Sequence, residues 1–404
     1  MRHFEPDVLG TLPTRSNVVS GALPSRYRAL RERSRLEWWI DGGGDPFYLL
    51  QEFLVTHGLP VRDLGRIGDK SVTPAVGEVC GAAVFVSAAA GARVAGAPVG
   101  RPSPAPAVPD LVAVVYEAAD RPVPEAPAGK AGTTPWRPGR WEPSWTPAQH
   151  AEAVRQVREA IGRGDVYQVN VVGHGSAAYL GDPLPALHRL AGLPGARYAG
   201  VLTGAGWAIG CASPETLVEV AGGRVTTRPI KGTRPATATG RRELLASPKE
   251  RAEHVMIVDL ERNDLARVAR TGSVRVDELY AIRRWCDLWQ AESVVSAVPA
   301  DGLGLADLLR AVCPGGSVTG APKLSALERI AALEPVGRGA SMGGLGWVGP
   351  DRIDLGLTIR TAAVDADRVH VWAGGGITWG SDPDAEVAEA AAKAAPLRAA
   401  LGIG

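Results

Sequence analysis

The sequence predicts an α+β fold in which the sheet is mostly antiparallel. In the second half of the chain, strand-like segments at 198–204, 207–213, 217–222 and 224–230 follow one another without a helix between them. The helical segments come in separate blocks, and the regular βαβ alternation that is typical of a parallel sheet is not found.

The helices are predicted from capping signals and from apolar periodicity. Thr146-Pro147-Ala148-Gln149 has the form of a capping box with proline at the first helical position, so a helix is expected through 150–164. Ser247-Pro248-Lys249-Glu250 has the same form and opens a helix at 249–269. Further helices are expected at 304–312, 322–333 and 384–401.

The chain divides into an N-terminal region, 1–145, and a region from 146 to 404 that carries the motifs discussed below. Strands are expected at 78–86 and 111–118, and a surface loop rich in Pro, Ala and Gly over about 91–145. The apolar run 79–92 is too short and too Gly-broken for a membrane span, so we interpret it as a buried strand that leads into a small-residue loop. We expect both regions to form one intertwined structural unit.

Composition excludes several classes of function. The 404 residues include 44 Lys and Arg against 43 Asp and Glu, a net charge of +1, so no strong field attracts nucleic acid or an acidic membrane. The four cysteines are scattered without a CxxC pair, which argues against a zinc cluster or a disulfide framework. The N-terminal residues lack the apolar run of a signal peptide, and a cytoplasmic location is expected.

The segment 313-CPGGSVTGAPK-323 is the first candidate for a ligand site. Gly315, Gly316 and Gly320 let the backbone approach a ligand closely, and the following helix N-terminus favours an anion. The glycine spacing matches a P-loop, but Ala-Pro follows Gly320 where lysine and Ser/Thr must stand, and Lys323 is displaced. A carboxylate therefore suits the loop better than a polyphosphate, and a plain Gly-rich helix entry is the structural alternative.

Two predicted helices each carry a pair of glutamates three residues apart, Glu250 with Glu253 and Glu386 with Glu389. Two such pairs could hold a hard divalent cation such as Mg²⁺, which keeps waters and takes a substrate carboxylate. The capping box by itself explains Glu250, and negative charge is favourable in a first helical turn, where Glu386 lies. The two glutamate pairs alone therefore leave open both a metal site and a purely structural role.

Lys231 lies in 226-TTRPIKGTRP-235, inside a tight Gly-Thr turn where a small residue would close the bend more easily. A lysine there is either a solvated charge or, in a pocket, a potential nucleophile. Glu215 precedes it, with predicted strands between, and a hairpin can bring both groups to one end of a sheet. A surface Ser-Pro-Glu turn is the structural alternative for Glu215.

Taken together and in order, these segments resemble the chorismate-utilising enzymes, which comprise anthranilate synthase large subunits, aminodeoxychorismate synthase component I, and isochorismate and salicylate synthases. The resemblance covers roughly residues 146–401. It rests on GDVYQVN (164–170), SPETL (213–217), RPIKGTRP (228–235), SPKERAEHVMIVDLERNDLARV (247–268), CPGGSVTGAPK (313–323), IDLGLTIRTA (353–362) and AGGGITWGSDPDAEVAEAAAK (373–393).

The resemblance implies a fold of two large, mostly antiparallel β-sheets packed face to face with helices outside. It also implies that Glu253 and Glu389 bind Mg²⁺, with Glu250 and Glu386 supporting the ion through water. Substrate binding, including that of the substrate carboxylates, is assigned to Gly315, Gly316, Ser317, Thr319, Gly320, Lys323, Thr233, Arg360, Gly375 and Lys393.

Two positions discriminate between family members. Isochorismate and salicylate synthases place a lysine base where this chain has Gln168, which cannot deprotonate water. Anthranilate synthases place a small residue in the turn that here carries Lys231, as aminodeoxychorismate synthases do. The resemblance therefore implies that Lys231 attacks C2 of chorismate while Glu215 protonates the departing C4 hydroxyl, and that ammonia then adds at C4 to give 4-amino-4-deoxychorismate.

The resemblance also implies a partner. The chain shows no glutaminase-like region, so ammonia is expected from solution or from a separate glutamine amidotransferase subunit. The sequence shows no resemblance to the lyase that releases pyruvate, so a second enzyme would be needed to form 4-aminobenzoate.

The sequence departs from the family pattern at three places. Ser341 replaces a tyrosine that contacts substrate, His254 follows the anthranilate synthase style, and 291-AESVVS-296 lacks the histidine that those synthases have there. His254 is expected on the helix surface. An anthranilate or aminodeoxyisochorismate synthase large subunit is the first alternative, and a non-catalytic relative that binds chorismate is the second.

Overall fold

The computed structural model describes residues 30–68, 74–119 and 134–404. The parts of the N-terminal region at 1–29, 69–73 and 120–133 lie outside the described residues, and the last of these belongs to the predicted Pro-rich loop. The described strands, numbered in chain order, are β1 (Leu30–Trp38), β2 (Val79–Val86), β3 (Leu111–Ala118), β4 (Arg137–Pro138), β5 (Glu142–Pro143), β6 (Gln168–Leu180), β7 (Tyr198–Gly204), β8 (Trp207–Ser213), β9 (Thr216–Ala221), β10 (Arg224–Arg228), β11 (Ile230–Pro235), β12 (Arg275–Trp285), β13 (Leu288–Ala297), β14 (Gly320–Ala321), β15 (Gly344–Val348), β16 (Ile353–Leu357), β17 (Thr361–Asp365) and β18 (Arg368–Ile377).

The described α-helices are α1 (Pro46–Thr56), α2 (Ala88–Val94), α3 (Pro147–Gly162), α4 (Leu184–Ala191), α5 (Ala238–Ala246), α6 (Pro248–Ala266), α7 (Leu305–Val312), α8 (Lys323–Leu333) and α9 (Pro383–Leu401). Short 3₁₀ turns lie at Leu64–Arg66 and Gly316–Val318. None of the described helices combines the length and the hydropathy that a membrane-spanning helix requires.

The strands form two sheets. The first has ten strands in the order β1-β3-β2-β15-β16-β9-β10-β13-β11, with β12 paired to β13. The second has eight, in the order β14-β6-β18-β17-β8-β7, with β4 and β5 paired to β6. Each strand pairing that the structure describes is antiparallel, which confirms the predicted α+β class with mostly antiparallel sheet.

The two sheets pack face to face across the largest apolar core. Val84 and Leu345 from the first sheet share this core with Ile209 and Trp372 from the second, and each is at most 2% exposed. Helices α4 and α9 cover the other side of the second sheet, where Leu187 packs in a separate apolar cluster. This arrangement confirms the fold that the resemblance implied. Strands β1–β3 belong to the same sheet as β15 and β16.

Two local predictions need correction. The residues after β2 form helix α2 and not a loop, because the Ser87 hydroxyl accepts a hydrogen bond from the Ala90 N–H at 3.0 Å and caps the helix. The predicted strand 224–230 is divided into β10 and β11 at Pro229, which has no N–H to donate to a neighbouring strand.

The two predicted capping boxes also differ. At Thr146 the box is complete, since the Thr146 hydroxyl and the Gln149 side chain each accept from the other residue's N–H. At Ser247 the hydroxyl accepts from the Glu250 N–H at 3.2 Å, but the Glu250 carboxylate pairs with Arg234 at 2.9 Å instead. The capping box therefore does not explain the Glu250 side chain, contrary to our expectation.

A buried ion pair joins helix α8 to the second sheet. Arg338 lies 2.7 Å from Glu334, and both are less than 9% exposed. Arg338 also donates to the main-chain oxygens of Val318 at 2.6 Å and Asn170 at 2.8 Å, while Glu334 accepts from the Val172 N–H at 3.0 Å. Because each charge has several partners, the pair holds three segments in fixed positions.

We expect Arg338→Met to lower the free energy of unfolding by about 3–5 kcal/mol, because it leaves the Glu334 carboxylate buried without its cation. Adding Glu334→Leu should restore a large part of that loss. The matched control is Arg155→Met, which removes an exposed partner of Glu152 and should change little. Urea denaturation of the four proteins measures this, and equal losses in the Arg338 and Arg155 variants would contradict it.

Candidate active site

One cleft collects polar side chains from strands and helices that are distant in sequence. Eleven of the sixteen predicted site residues line it: Glu215, Lys231, Thr233, Glu250, Glu253, Ser317, Arg360, Gly375, Glu386, Glu389 and Lys393. The cleft lies where β11, the 3₁₀ turn Gly316–Val318, β18, α6 and α9 meet.

Lys231 reaches the cleft because β11 contains a bulge. The β11–β13 register shifts between Lys231 and Thr233, and Gly232 has a φ of 75°, which favours glycine. A Cβ at Gly232 would lie 2.7 Å from Leu244 and 3.0 Å from Glu250. The turn residue that must be small is therefore Gly232, and Lys231 is half-buried with its Nζ donating to the Ser317 main-chain oxygen at 2.9 Å.

Glu215 is joined to the same turn. Its Oε1 accepts from the Ser317 hydroxyl at 2.6 Å and from the Ile230 N–H at 3.2 Å. Ser317 thus contacts Lys231 through its main chain and Glu215 through its side chain. Glu215 is 3% exposed, so it does not lie in a surface turn.

Burial shifts the pKa values of Glu215 and Lys231 in the directions that favour their neutral forms. Burial raises the pKa of Glu215, although hydrogen bonding to Ser317 and the charge of Lys231 oppose the shift. Burial also lowers the pKa of Lys231, opposed by Glu215 and reinforced by the positive charge of Lys393. A protonated carboxyl group can donate a proton and an uncharged amine can act as a nucleophile, so both shifts favour the forms that this chemistry needs.

Arg360 and Lys393 add positive charge to the cleft. Arg360 is 6% exposed and has a φ of 52°, and its guanidinium lies over the Trp285 ring at 4.7 Å. Burial lowers the pKa of Arg360 to about 10, so it stays charged at neutral pH. The Lys393 Nζ pairs with Glu389 at 2.6 Å and donates to the Gly374 oxygen at 3.0 Å.

The four predicted metal ligands face one cleft from two helices. A Cβ at Gly375 would lie 3.1 Å from Glu386 and 3.9 Å from Glu389, so both carboxylates converge on this strand. Glu253 accepts from the Thr378 hydroxyl at 2.9 Å. Carboxylate oxygens are donors that Mg²⁺ prefers, and this ion commonly takes only one or two of them. Within the described residues, no three acidic, His or Cys side chains are close enough to hold a metal ion.

The remaining five predicted residues, Gly315, Gly316, Thr319, Gly320 and Lys323, do not line the cleft. A Cβ at Gly316 would lie 2.7 Å from Leu260, so this glycine is needed for packing. The Thr319 hydroxyl donates within its own loop, to the Gly315 oxygen at 2.8 Å. The Lys323 ammonium pairs with buried Asp264 at 2.6 Å, so it neutralises that carboxylate.

The expectation that His254 lies on the helix surface is wrong. It is 1% exposed, and its Nε2 lies 2.6 Å from the Ser293 hydroxyl. Burial and the charge of Lys231 lower the pKa of His254 to about 4, so the ring is neutral at physiological pH. The helix α6 face that carries it packs against β13, which the sequence pattern of α6 did not indicate.

The structure adds residues that the sequence reasoning missed. Asn170, Gln290, Met342 and Trp372 line the cleft beside the predicted residues. Asn170 lies in the GDVYQVN segment (164–170), and the resemblance of that segment to the family is the sequence signal that could have identified it as a cleft residue. Ser341, which stands where relatives have tyrosine, is fully buried and has its hydroxyl 3.2 Å from the Thr358 oxygen.

Comparisons with known proteins agree with this geometry. A family model described as chorismate binding enzyme matches residues 108–399. Anthranilate synthase component 1 of Streptomyces coelicolor is 40% identical over 292 residues, which cover 69% of this chain and 57% of that protein. Aminodeoxychorismate synthase component 1 of Salmonella typhimurium is 39% identical over 264 residues, which cover 63% of this chain and 58% of that protein. The chain therefore spans less than two thirds of the length of these relatives.

Solved structures share the fold at lower identity. Anthranilate synthase component I from Streptococcus pneumoniae matches with a TM-score of 0.73 and 24% identity, covering 99% of this chain and 95% of that one. The menaquinone-specific isochorismate synthase of Escherichia coli matches with a TM-score of 0.62 and 16% identity, covering 93% of this chain and 95% of that one. Since the family match spans most of the sequence, the chain belongs to the chorismate binding enzyme family.

Proposed function

We propose that the chain is an aminodeoxychorismate synthase of the component I type, which converts chorismate and ammonia to 4-amino-4-deoxychorismate. One observation carries this proposal: the Lys231 amine lines the cleft and is linked through Ser317 to the buried Glu215. A nucleophile and an acid held by one residue are suited to displacing a hydroxyl group.

The first step forms a covalent bond to the enzyme. The neutral Lys231 amine attacks C2 of chorismate, the ring double bonds shift, and the C4 hydroxyl leaves. Glu215 donates its proton to that hydroxyl, so water departs, and the new ammonium on C2 loses a proton. The enzyme then holds an adduct equal to chorismate less one water.

The second step repeats the displacement in the opposite sense. Ammonia attacks C4, the double bonds shift back, and the bond between C2 and Lys231 breaks. Lys231 regains a proton as the incoming ammonium loses one, so the amine ends at C4. Without the covalent step, a single displacement by ammonia would place the amine at C2.

The first alternative is an anthranilate or aminodeoxyisochorismate synthase, supported by the 40% identity to the Streptomyces coelicolor protein and by His254. Lys231 favours the 4-amino product, because it occupies the space that a small residue would leave for ammonia near C2. Gln168 is 1% exposed and cannot act as a base toward water, which disfavours isochorismate formation. The second alternative, a non-catalytic relative, is motivated only by Ser341.

We further propose that Glu253 and Glu389 hold Mg²⁺, with Glu250 and Glu386 acting through water. The ion would take a substrate carboxylate and offset the negative charge of ligand and glutamates. Arg360 and Lys393 supply fixed positive charge for substrate carboxylates in the same cleft. A separate glutamine amidotransferase subunit is the proposed source of ammonia in the cell.

We expect the wild-type chain, given chorismate and Mg²⁺ without ammonia, to show an intact-mass increment of chorismate less water. Lys231→Met should show none, and Glu215→Gln should form the adduct about 10²–10⁴-fold more slowly, because it has no proton to give. With ammonia added, chromatography should detect 4-amino-4-deoxychorismate. Anthranilate as the product, or a fully active Lys231→Ala without adduct, would contradict the assignment.

We expect two variants to shift the pKa of Lys231 in opposite directions. At pH values where Glu215 is ionised, Glu215→Gln removes a negative charge and should lower the pKa of Lys231 further, whereas Lys393→Met removes a positive charge and should raise it. The pH dependence of Lys231 acetylation by acetic anhydride, followed by peptide mass spectrometry after metal chelation, measures both. Shifts of the same sign would show that these charges do not control the amine.

We expect a chelator to abolish activity and Mg²⁺ to restore it. Glu386→Gln should raise the Mg²⁺ concentration for half-maximal activity about 10–100-fold, as loss of a water-mediated ligand does, and Glu253→Gln should raise it more. Calorimetric titration with Mg²⁺ provides a readout that is independent of turnover. Glu328→Gln, on the exposed face of α8, is the control, and an equal effect there would contradict the site.

A further inference from the structure

Two hydrogen-bond donors in the cleft wall have no acceptor among the described residues. They are the Asn170 Nδ2 and the Arg360 Nε. Asn170 is 5% exposed and Arg360 is 6% exposed, so neither side chain is solvated like a surface group. Buried donors are nearly always paired in folded proteins, because an unpaired one lowers stability. Both residues line the cleft, where a ligand could supply the missing acceptors.

The backbone at Asn170 is fixed on both sides. Its N–H donates to the Thr319 oxygen at 2.7 Å, and its carbonyl accepts from the buried Arg338 at 2.8 Å. In the β6–β18 ladder it pairs with Gly376, which has no side chain. The strand therefore cannot rotate to give the Asn170 amide another partner.

The face of β6 that carries Asn170 looks toward Lys231. Gln168 is two residues earlier and so lies on the same face of the strand. A Cβ at Gly376 would overlap the Gln168 amide and would lie 3.0 Å from the Lys231 Nζ. Gly376 thus leaves open the space between this face of β6 and the amine.

We propose that Asn170 orients the substrate by donating its Nδ2 hydrogen to a substrate oxygen, while the Arg360 Nε donates to a second oxygen. The ligand that fits is a small acid with at least two acceptor groups. This inference rests on the proposed function, in which chorismate supplies two carboxylates and an ether oxygen. It assigns a substrate contact to a residue that the family-derived site set does not include.

A residue of this kind should lower the stability of the ligand-free protein while it strengthens ligand binding. Leucine branches at the same carbon as asparagine and has no donor to leave unpaired. Asn170→Leu should therefore melt at the same or a higher temperature than wild type in the absence of ligand. If the amide served the fold alone, its loss would instead lower the melting temperature.

The experiment compares Asn170→Leu with a matched control, Tyr198→Phe. The Tyr198 hydroxyl is buried but fully paired, 2.9 Å from Thr216 and 2.6 Å from Asp354, and it lies outside the cleft. Calorimetry with chorismate should give Kd raised about 10–100-fold for Asn170→Leu. Tyr198→Phe should melt lower with Kd unchanged.

The proposal requires both results for Asn170→Leu, and an unchanged Kd or a melting temperature that falls as in Tyr198→Phe would overturn it. Asn170→Asp gives a second test, since it places an acceptor where a donor is needed and should bind chorismate more weakly still. Equal binding by Asn170→Asp and wild type would also overturn it. If wild type does not bind chorismate, the proposed function fails and so does the contact of Asn170 with that substrate; an Asn170→Leu melting temperature at or above that of wild type would then still support a ligand contact of the amide, and a lower one would overturn it.

Discussion

The candidate chemistry of this protein depends on Ser317, which contacts both an amine and a carboxyl group of the cleft. Its main-chain oxygen accepts from Lys231, and its hydroxyl donates to Glu215. Because the residue lies in a 3₁₀ turn whose next residue, Val318, is held by Arg338, the amine and the acid are fixed relative to the second sheet. Lys231 on β11 of the first sheet and Glu215 in the connection from β8 to β9 are thereby positioned against a loop that the second sheet supports.

Electrostatic balance in the cleft follows from burial more than from pairing. Glu215 and Lys231 could neutralise each other as an ion pair, yet burial shifts the pKa of each toward its uncharged form. Lys393 and Glu389 form an ion pair instead, at 2.6 Å. The cleft thus holds both a pair of groups suited to proton and bond transfer and a separate ion pair.

Much of the fold and part of the site could be predicted from the sequence. Strand-like segments and a capping box located β7, β8 and α3, because those patterns depend on neighbours along the chain. The bulge at Gly232 and the burial of His254 could not be predicted, since each depends on which strand packs against it. For the same reason, Lys323 resembled a ligand residue in sequence, while the fold pairs it with Asp264.

Strands β1–β3 lie in the same sheet as strands of the motif-bearing region, so that region cannot be isolated without exposing a strand edge. Strand β2 supplies the hydrogen-bonding partner along the whole length of β15, from Gly344 to Val348. A polypeptide that began at the first capping threonine, Thr146, would keep every cleft residue but expose this row of amide and carbonyl groups. An exposed strand edge of this kind can pair with another copy of the chain. The strands before Thr146 therefore protect the protein from self-association.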